Sequence, residues 1–152
     1  MKVQEIMSQP AVTCRVTDTL NRAAQQMWEY DLGSVPVIGD GGRIVGVVTD
    51  RDICMAAYFQ GVPLRSIRVH DVMARHVFSC HPNDSLEQAE KLMSEKQIRR
   101  LPVVDGEDRP LGVVSLNDIA RQAATSRKQD GRDLTQTLAA IGRKRRPRQA
   151  EA

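Results

Sequence analysis

The chain has 152 residues, a formal charge of +3, 41% hydrophobic residues and only 3% aromatics. A chain of that length buries roughly two-thirds of its unfolded surface in a single core. No stretch of about 18 apolar residues occurs, and the leading MKVQEIMSQP lacks an apolar signal region, so a soluble cytoplasmic protein with no membrane span is expected. Cys14, Cys54 and Cys80 are an odd number without a CxxC pair, so neither a disulfide framework nor a zinc knuckle is suggested.

The element pattern runs twice. Val3 to Met7 reads as a short helical segment and Ala11 to Arg15 as a brief extended one. Asp18-Thr19 then offers capping side chains to a helix whose Leu20, Ala23, Ala24 and Met27 share one face. Val35 to Ile38, the turn Gly39-Asp40-Gly41-Gly42 and Ile44 to Val48 read as strand, tight turn and strand. Thr49 opens a second helix through Ala57, and Gly61 to Arg68 forms a linker.

From Val69 the pattern restarts at a constant offset of 66, so that Val3 to Ile53 maps without a gap on Val69 to Ile119. Met7 falls on Met73, Cys14 on Cys80, Pro36-Val37 on Pro102-Val103, Gly46-Val47-Val48 on Gly112-Val113-Val114 and Asp52-Ile53 on Asp118-Ile119. Each unit alone, at roughly 60 residues, is marginal. The expectation is therefore one pseudo-symmetric α+β domain of two β-α-β-β-α units, spanning 1–62 and 63–127 and followed by a segment 128–152.

In that last segment Leu134, Leu138 and Ile141 give a short amphipathic helix, which Gly142 could end and which is expected to dock on a partner subunit. The run Arg143-Lys144-Arg145-Arg146-Pro147-Arg148 has nothing apolar to bury and is expected to be disordered when unbound. Residues 126 to 152 hold eight basic and three acidic side chains, a surplus of five, which leaves the rest of the chain two negative.

Both units carry Gly-Val-Val, a hydroxyl residue, two variable positions and an aspartate: Thr49 and Asp52 in the first, Ser115 and Asp118 in the second. A hydroxyl at a helix start sits beside free backbone N–H groups and the positive end of the helix dipole, where phosphate binds well. An aspartate one turn later can accept hydrogen bonds from both hydroxyls of a ribose. The same spacing is equally the capping box of a helix, and the two readings are compatible. Occurrence in both units, each time after a Gly-Val-Val strand, adds weight to the ligand.

On these residues, together with the Val-Pro-Val and Leu-Pro-Val segments and the hairpin glycines, the chain from Val3 to about Arg127 resembles the cystathionine β-synthase (CBS) domain in its tandem form, the Bateman module. The resemblance implies two clefts that take adenosine-containing ligands such as AMP, ADP, ATP or S-adenosylmethionine. It implies that Asp52 and Asp118 hold ribose hydroxyls and that Thr49 and Ser115 meet ribose or phosphate. The segments Ser34-Val35-Pro36 and Leu101-Pro102, together with Ala11-Val12-Thr13 and Val77-Phe78-Ser79, would sandwich the adenine and read it largely through backbone groups. It further implies a homodimeric disc of four CBS motifs and an effector protein that the sequence does not name.

The copies differ in charge. Arg99-Arg100 stands where the first unit has Gly33-Ser34, and Arg51 where the second has Asn117. Arg51, Arg99 and Arg100 either face phosphates through their planar donor forks or are solvated surface. His70, His76 and His81 near Cys80 match no metal-ligand spacing, and no phosphate-binding Gly-x-x-x-x-Gly-Lys loop, nucleophile elbow or His-Glu-x-x-His helix occurs. No metal, catalytic residue or catalytic cofactor is expected; an adenine nucleotide enters as a regulatory ligand. The alternative is an interaction scaffold with empty clefts that acts through its basic tail on nucleic acid or a protein, and the scarcity of aromatics argues against a base-stacking platform.

Overall fold

The computed structural model describes residues 1–125 and 131–143, so the basic run expected to be disordered lies, beyond Arg143, outside the described residues. The elements are β1 (Cys14–Arg15), α1 (Leu20–Glu29), β2 (Ser34–Ile38), β3 (Ile44–Thr49), α2 (Asp50–Gln60), α3 (Val69–Val72), α4 (Leu86–Lys96), β4 (Arg100–Val104), β5 (Pro110–Ser115), α5 (Leu116–Thr125) and α6 (Gly131–Ile141), with 3-10 turns at Val3–Glu5, Asp40–Gly42 and Leu64–Ser66. β1 pairs parallel with β2, which pairs antiparallel with β3. β4 and β5 repeat the antiparallel pair, and the Cys80↔Val103 bridge repeats the parallel one.

Residue chemistry accounts for the element ends. Ser85 accepts from the Gln88 N–H and Gln88 accepts from the Ser85 N–H, the reciprocal cap that starts α4. Its counterpart differs from the sequence expectation: Thr19 makes no side-chain cap on α1, while Asp18 accepts instead from the Arg15 N–H at 2.8 Å and shapes the preceding turn. The turn between β2 and β3 uses left-handed backbone at Gly41 and Gly42, which their missing side chains allow.

The two repeats exchange their leading segments. Ser8 and Val113 form a reciprocal pair of backbone hydrogen bonds at 2.9 and 3.0 Å, so the first repeat's lead extends the second repeat's sheet. Ala74 and Val47 do the same at 2.9 and 3.0 Å in the opposite direction. The Val3 N–H donates to the Asp84 carbonyl and the Val69 N–H to the Asp18 carbonyl. Accordingly Val3 belongs to the core that holds Leu86, Met93 and Leu101, and Val69 and Met73 to the core that holds Leu20, Met27 and Val35. Each core is completed by the other repeat.

Cys14 and Cys80 occupy equivalent places in these cores. Burial pushes both thiols up to about 12, aided by the nearby carboxylates of Asp18 and Asp84 respectively. Because the unfolded thiols titrate near the ordinary 9.0, the stability tied to these protons is complete below that pH and is lost as pH rises toward 12. Iodoacetamide at neutral to mildly alkaline pH is expected to alkylate only exposed Cys54 in the native protein and all three after unfolding. Mass spectrometry of the native adduct checks this; three modified cysteines would contradict it.

α6 departs from expectation. It packs on α4 and α5 of its own chain, with Leu134 and Ile141 joining the second core. The Gln97 side chain donates to the carbonyls of Ala140 and Arg143 at 3.4 and 3.3 Å, pinning the end of the helix. Of the apolar stripe read as a partner-docking face, Leu134 and Ile141 are thus used internally, while Leu138 stays exposed.

Candidate functional site

The two hydroxyl-aspartate motifs sit where β3 enters α2 and β5 enters α5. In the first, Asp52 Oδ2 accepts from the Thr49 N–H at 2.9 Å and from its hydroxyl at 2.8 Å, while the Asp52 N–H donates to Thr49 Oγ1 at 3.1 Å. The second repeats this with Ser115 and Asp118 at 2.8, 2.5 and 3.2 Å. The capping geometry is therefore present in full at both places, and it consumes only one oxygen of each carboxylate.

The spare oxygens differ. Asp52 Oδ1 makes no hydrogen bond among the described residues, and the side chain is half-buried. Asp118 is buried, and its Oδ1 is ion-paired with Arg121 Nη2. The position matching Arg121 is Met55, which carries no charge. A cavity of about 220 Å³ adjoins this pair, bounded by Glu5 and Ile6 of the exchanged N-terminal segment.

Strand register brings the flanking residues in. Ser34 lies opposite Thr49 and Arg100 opposite Ser115. The side chains of Val35 and Leu101 are fully buried in the cores, and Pro36 and Pro102 are buried too, so this stretch can meet a ligand chiefly through its main chain. Val12, Thr13 and Ser79 are half-buried. Phe78 leans on the second core, with Lys96 Nζ 5.0 Å from its ring centroid. Arg51 is exposed on the first turn of α2.

Arg100 reaches across the molecule. Its guanidinium covers Gly33, where any side chain would collide with it. Neither Arg99 nor Arg100 has a carboxylate partner among the described residues. Both line a cavity of about 410 Å³ together with Ser115, Leu116 and, from α6, Leu138 and Ile141. That volume lies within the usual range for small-molecule sites.

Sequence reasoning missed three participants: Arg121, the α6 wall and Gln26. Gln26 Nε2 donates to the Thr13 carbonyl at 2.8 Å, and its Oε1 is buried with no partner among the described residues. The signal was available in the offset, because Gln26 matches Leu92 and Arg121 matches Met55, each a polar-for-apolar difference in otherwise parallel helices. No group of three or more His, Cys, Asp or Glu side chains suited to a metal occurs among the described residues.

Two exchanged β-α-β-β-α units with a hydroxyl-aspartate motif at each second helix define a CBS pair. The chain belongs to the CBS domain family, whose sequence model matches residues 3–58 and 69–124. It is similar to CBS domain-containing protein YhcV of Bacillus subtilis, at 37% identity over 78% of this chain and 82% of that one. It is also similar to hypoxic response protein 1 of Mycobacterium tuberculosis, at 33% identity with the same coverages. Among solved structures, the CBS domain pair of protein MJ0100, in complex with methylthioadenosine and S-adenosylmethionine, superposes with a TM-score of 0.75 at 26% identity over 82% of this chain and 96% of that one.

Proposed function

We propose that the protein is a non-catalytic regulatory module that binds adenine nucleotides, or S-adenosylmethionine, in the clefts of its two repeats. The observation that carries this reading is the duplicated cap in which one aspartate oxygen fixes the helix start and, at Asp52, the other stays available to a ribose. The adenosine ligands of the MJ0100 pair support the same ligand class. Thr49, Asp52 and Arg51 would hold ribose and phosphate in the first cleft, with the base between Val12-Thr13 and Ser34-Val35-Pro36. Ser115, Asp118, Arg99 and Arg100 would serve the second, with the base between Phe78-Ser79 and Leu101-Pro102. By sequence the repeats divide as 1–62 and 63–127, with 128–152 appended.

A ligand that prefers one arrangement of the repeats stabilises that arrangement by its differential affinity, which is the whole of the signal. An effector protein would read it. Three unpaired cysteines suit the reducing cytoplasm. No helix among the described residues is long and apolar enough to cross a membrane.

Calorimetric titration of nucleotide-stripped protein with AMP, ATP and S-adenosylmethionine tests the reading, with an Asp52→Ala/Asp118→Ala double mutant as control. Binding that disappears in the mutant is expected. A folded protein that binds none of the three leaves the motifs as helix caps only.

The module would act as a homodimer through the first repeat. Trp28, Tyr58 and Phe59 on α1 and α2 are 89%, 76% and 78% exposed, and the last two pack edge to face at 5.1 Å. With Tyr30 they present on the order of 500 Å² of aromatic surface, most of one side of a standard interface. The corresponding helices of the second repeat already carry α6. Trp28→Glu combined with Phe59→Glu is expected to convert the dimer to a monomer in sedimentation equilibrium; an unchanged mass would exclude this face.

A further inference from the structure

We propose that α6 reports occupancy of the second cleft, by forming one wall of a cavity that takes a phosphorylated ligand between Arg99, Arg100 and Ser115 on one side and Leu138 and Ile141 on the other. The proposal rests on the nucleotide-binding reading and adds to it the element that moves.

Arg99 and Arg100 border the cavity, neither has a carboxylate partner among the described residues, and the Arg100 guanidinium lies over Gly33 within a side chain's swing of it, so the chemistry of this wall suits an anion. The opposite wall is apolar and comes from a helix beyond the duplicated unit. That helix is held at its end by Gln97, two residues before Arg99. A phosphate that draws Arg99 and Arg100 inward therefore acts on the same short segment that grips α6. Leu138 is 46% exposed, consistent with a wall that still opens to solvent, whereas Ile141 is buried in the core. Among the described residues no equivalent helix packs on α1 and α2 of the first repeat, and Gly33-Ser34 replaces the arginines. Only the second cleft can transmit in this way.

Coupling of this kind is reciprocal: if the ligand favours docked α6, docked α6 favours the ligand by the same factor. The test uses full-length protein carrying Asp52→Ala, so that the second cleft alone titrates, and ADP as the probe. Saturating ADP is expected to slow hydrogen exchange of the α6 amides by roughly fivefold or more. Leu138→Glu, which sets a carboxylate facing the arginines, is expected to weaken ADP binding about tenfold, and the neutral Leu138→Gln clearly less. ADP binding with unchanged α6 exchange and no difference between these variants overturns the coupling alone. Absence of ADP binding to wild type and mutants, with the fold intact by circular dichroism, overturns the proposal, and the nucleotide reading falls with it only where AMP, ATP and S-adenosylmethionine also fail to bind.

Discussion

Asp52→Ala is expected to weaken nucleotide binding at the first cleft by about 100- to 10,000-fold, because two charge-assisted hydrogen bonds at about 1.5–3 kcal/mol each are lost. The same change removes the acceptor of the Thr49 N–H and hydroxyl, which costs about 1 kcal/mol of stability through the helix cap. The two effects separate cleanly, since a loss of about 1 kcal/mol leaves the protein folded while the binding loss spans two decades or more. Asp118→Ala is expected to cost less binding. There the ligand must first displace Arg121 from the carboxylate, so the wild-type site starts weaker. Arg121→Met, which copies Met55 of the first repeat, is expected to strengthen the second cleft about tenfold by freeing Asp118 Oδ1. Two-site calorimetry distinguishes these variants, and equal losses for Asp52→Ala and Asp118→Ala would sink the proposed inequality.

Gly112→Ala is expected to be the most damaging single methyl group in the molecule. A Cβ there would stand 2.5 Å from the Ser8 carbonyl oxygen, which is main chain and cannot swing aside. That oxygen accepts the Val113 N–H, so relief of the clash breaks the bridge between the exchanged N-terminal segment and β5. Overpacking and the lost hydrogen bonds together amount to about 2–4 kcal/mol. Gly46→Ala, its equivalent, meets the flexible Met73 sulfur at 2.6 Å and the Ala74 carbonyl at 3.0 Å, and is expected to cost less. Urea denaturation monitored by circular dichroism ranks the two; a milder effect at Gly112 would contradict the exchange as the tighter constraint.

The repeat, the strands, the capping motifs and the paired helices were legible in the sequence, because each depends on local pattern and on a constant offset. The exchange of leading segments was not. Met7-Ser8 and Met73-Ala74 occupy equivalent positions whether each joins its own sheet or the other, so the offset is blind to the choice. Thr19 failed as a cap although Ser85 succeeded beside an aspartate that takes the same turn; the difference is three residues on, where Ser85 has Gln88 to return the bond and Thr19 has Arg22, which has no acceptor. The stripe Leu134, Leu138, Ile141 announced an apolar face without saying against what, and in the fold Leu134 and Ile141 pack on its own chain beside α4 and α5 while Leu138 stays exposed. Arg121 escaped notice because it lies one turn past the motif, where only comparison with Met55 marks it as unusual.

The exchange also sets a timetable for a chain made from its N-terminus. Val3 finds its core only after the strand holding Val114 has emerged, roughly ten seconds later at ordinary rates of synthesis. Until Ala74 follows, the first sheet keeps Val47 uncovered as an open edge. The nascent first repeat is therefore an unfinished template that its own second half must close, and a ribosome that pauses between the repeats leaves it available to neighbouring chains on the same message.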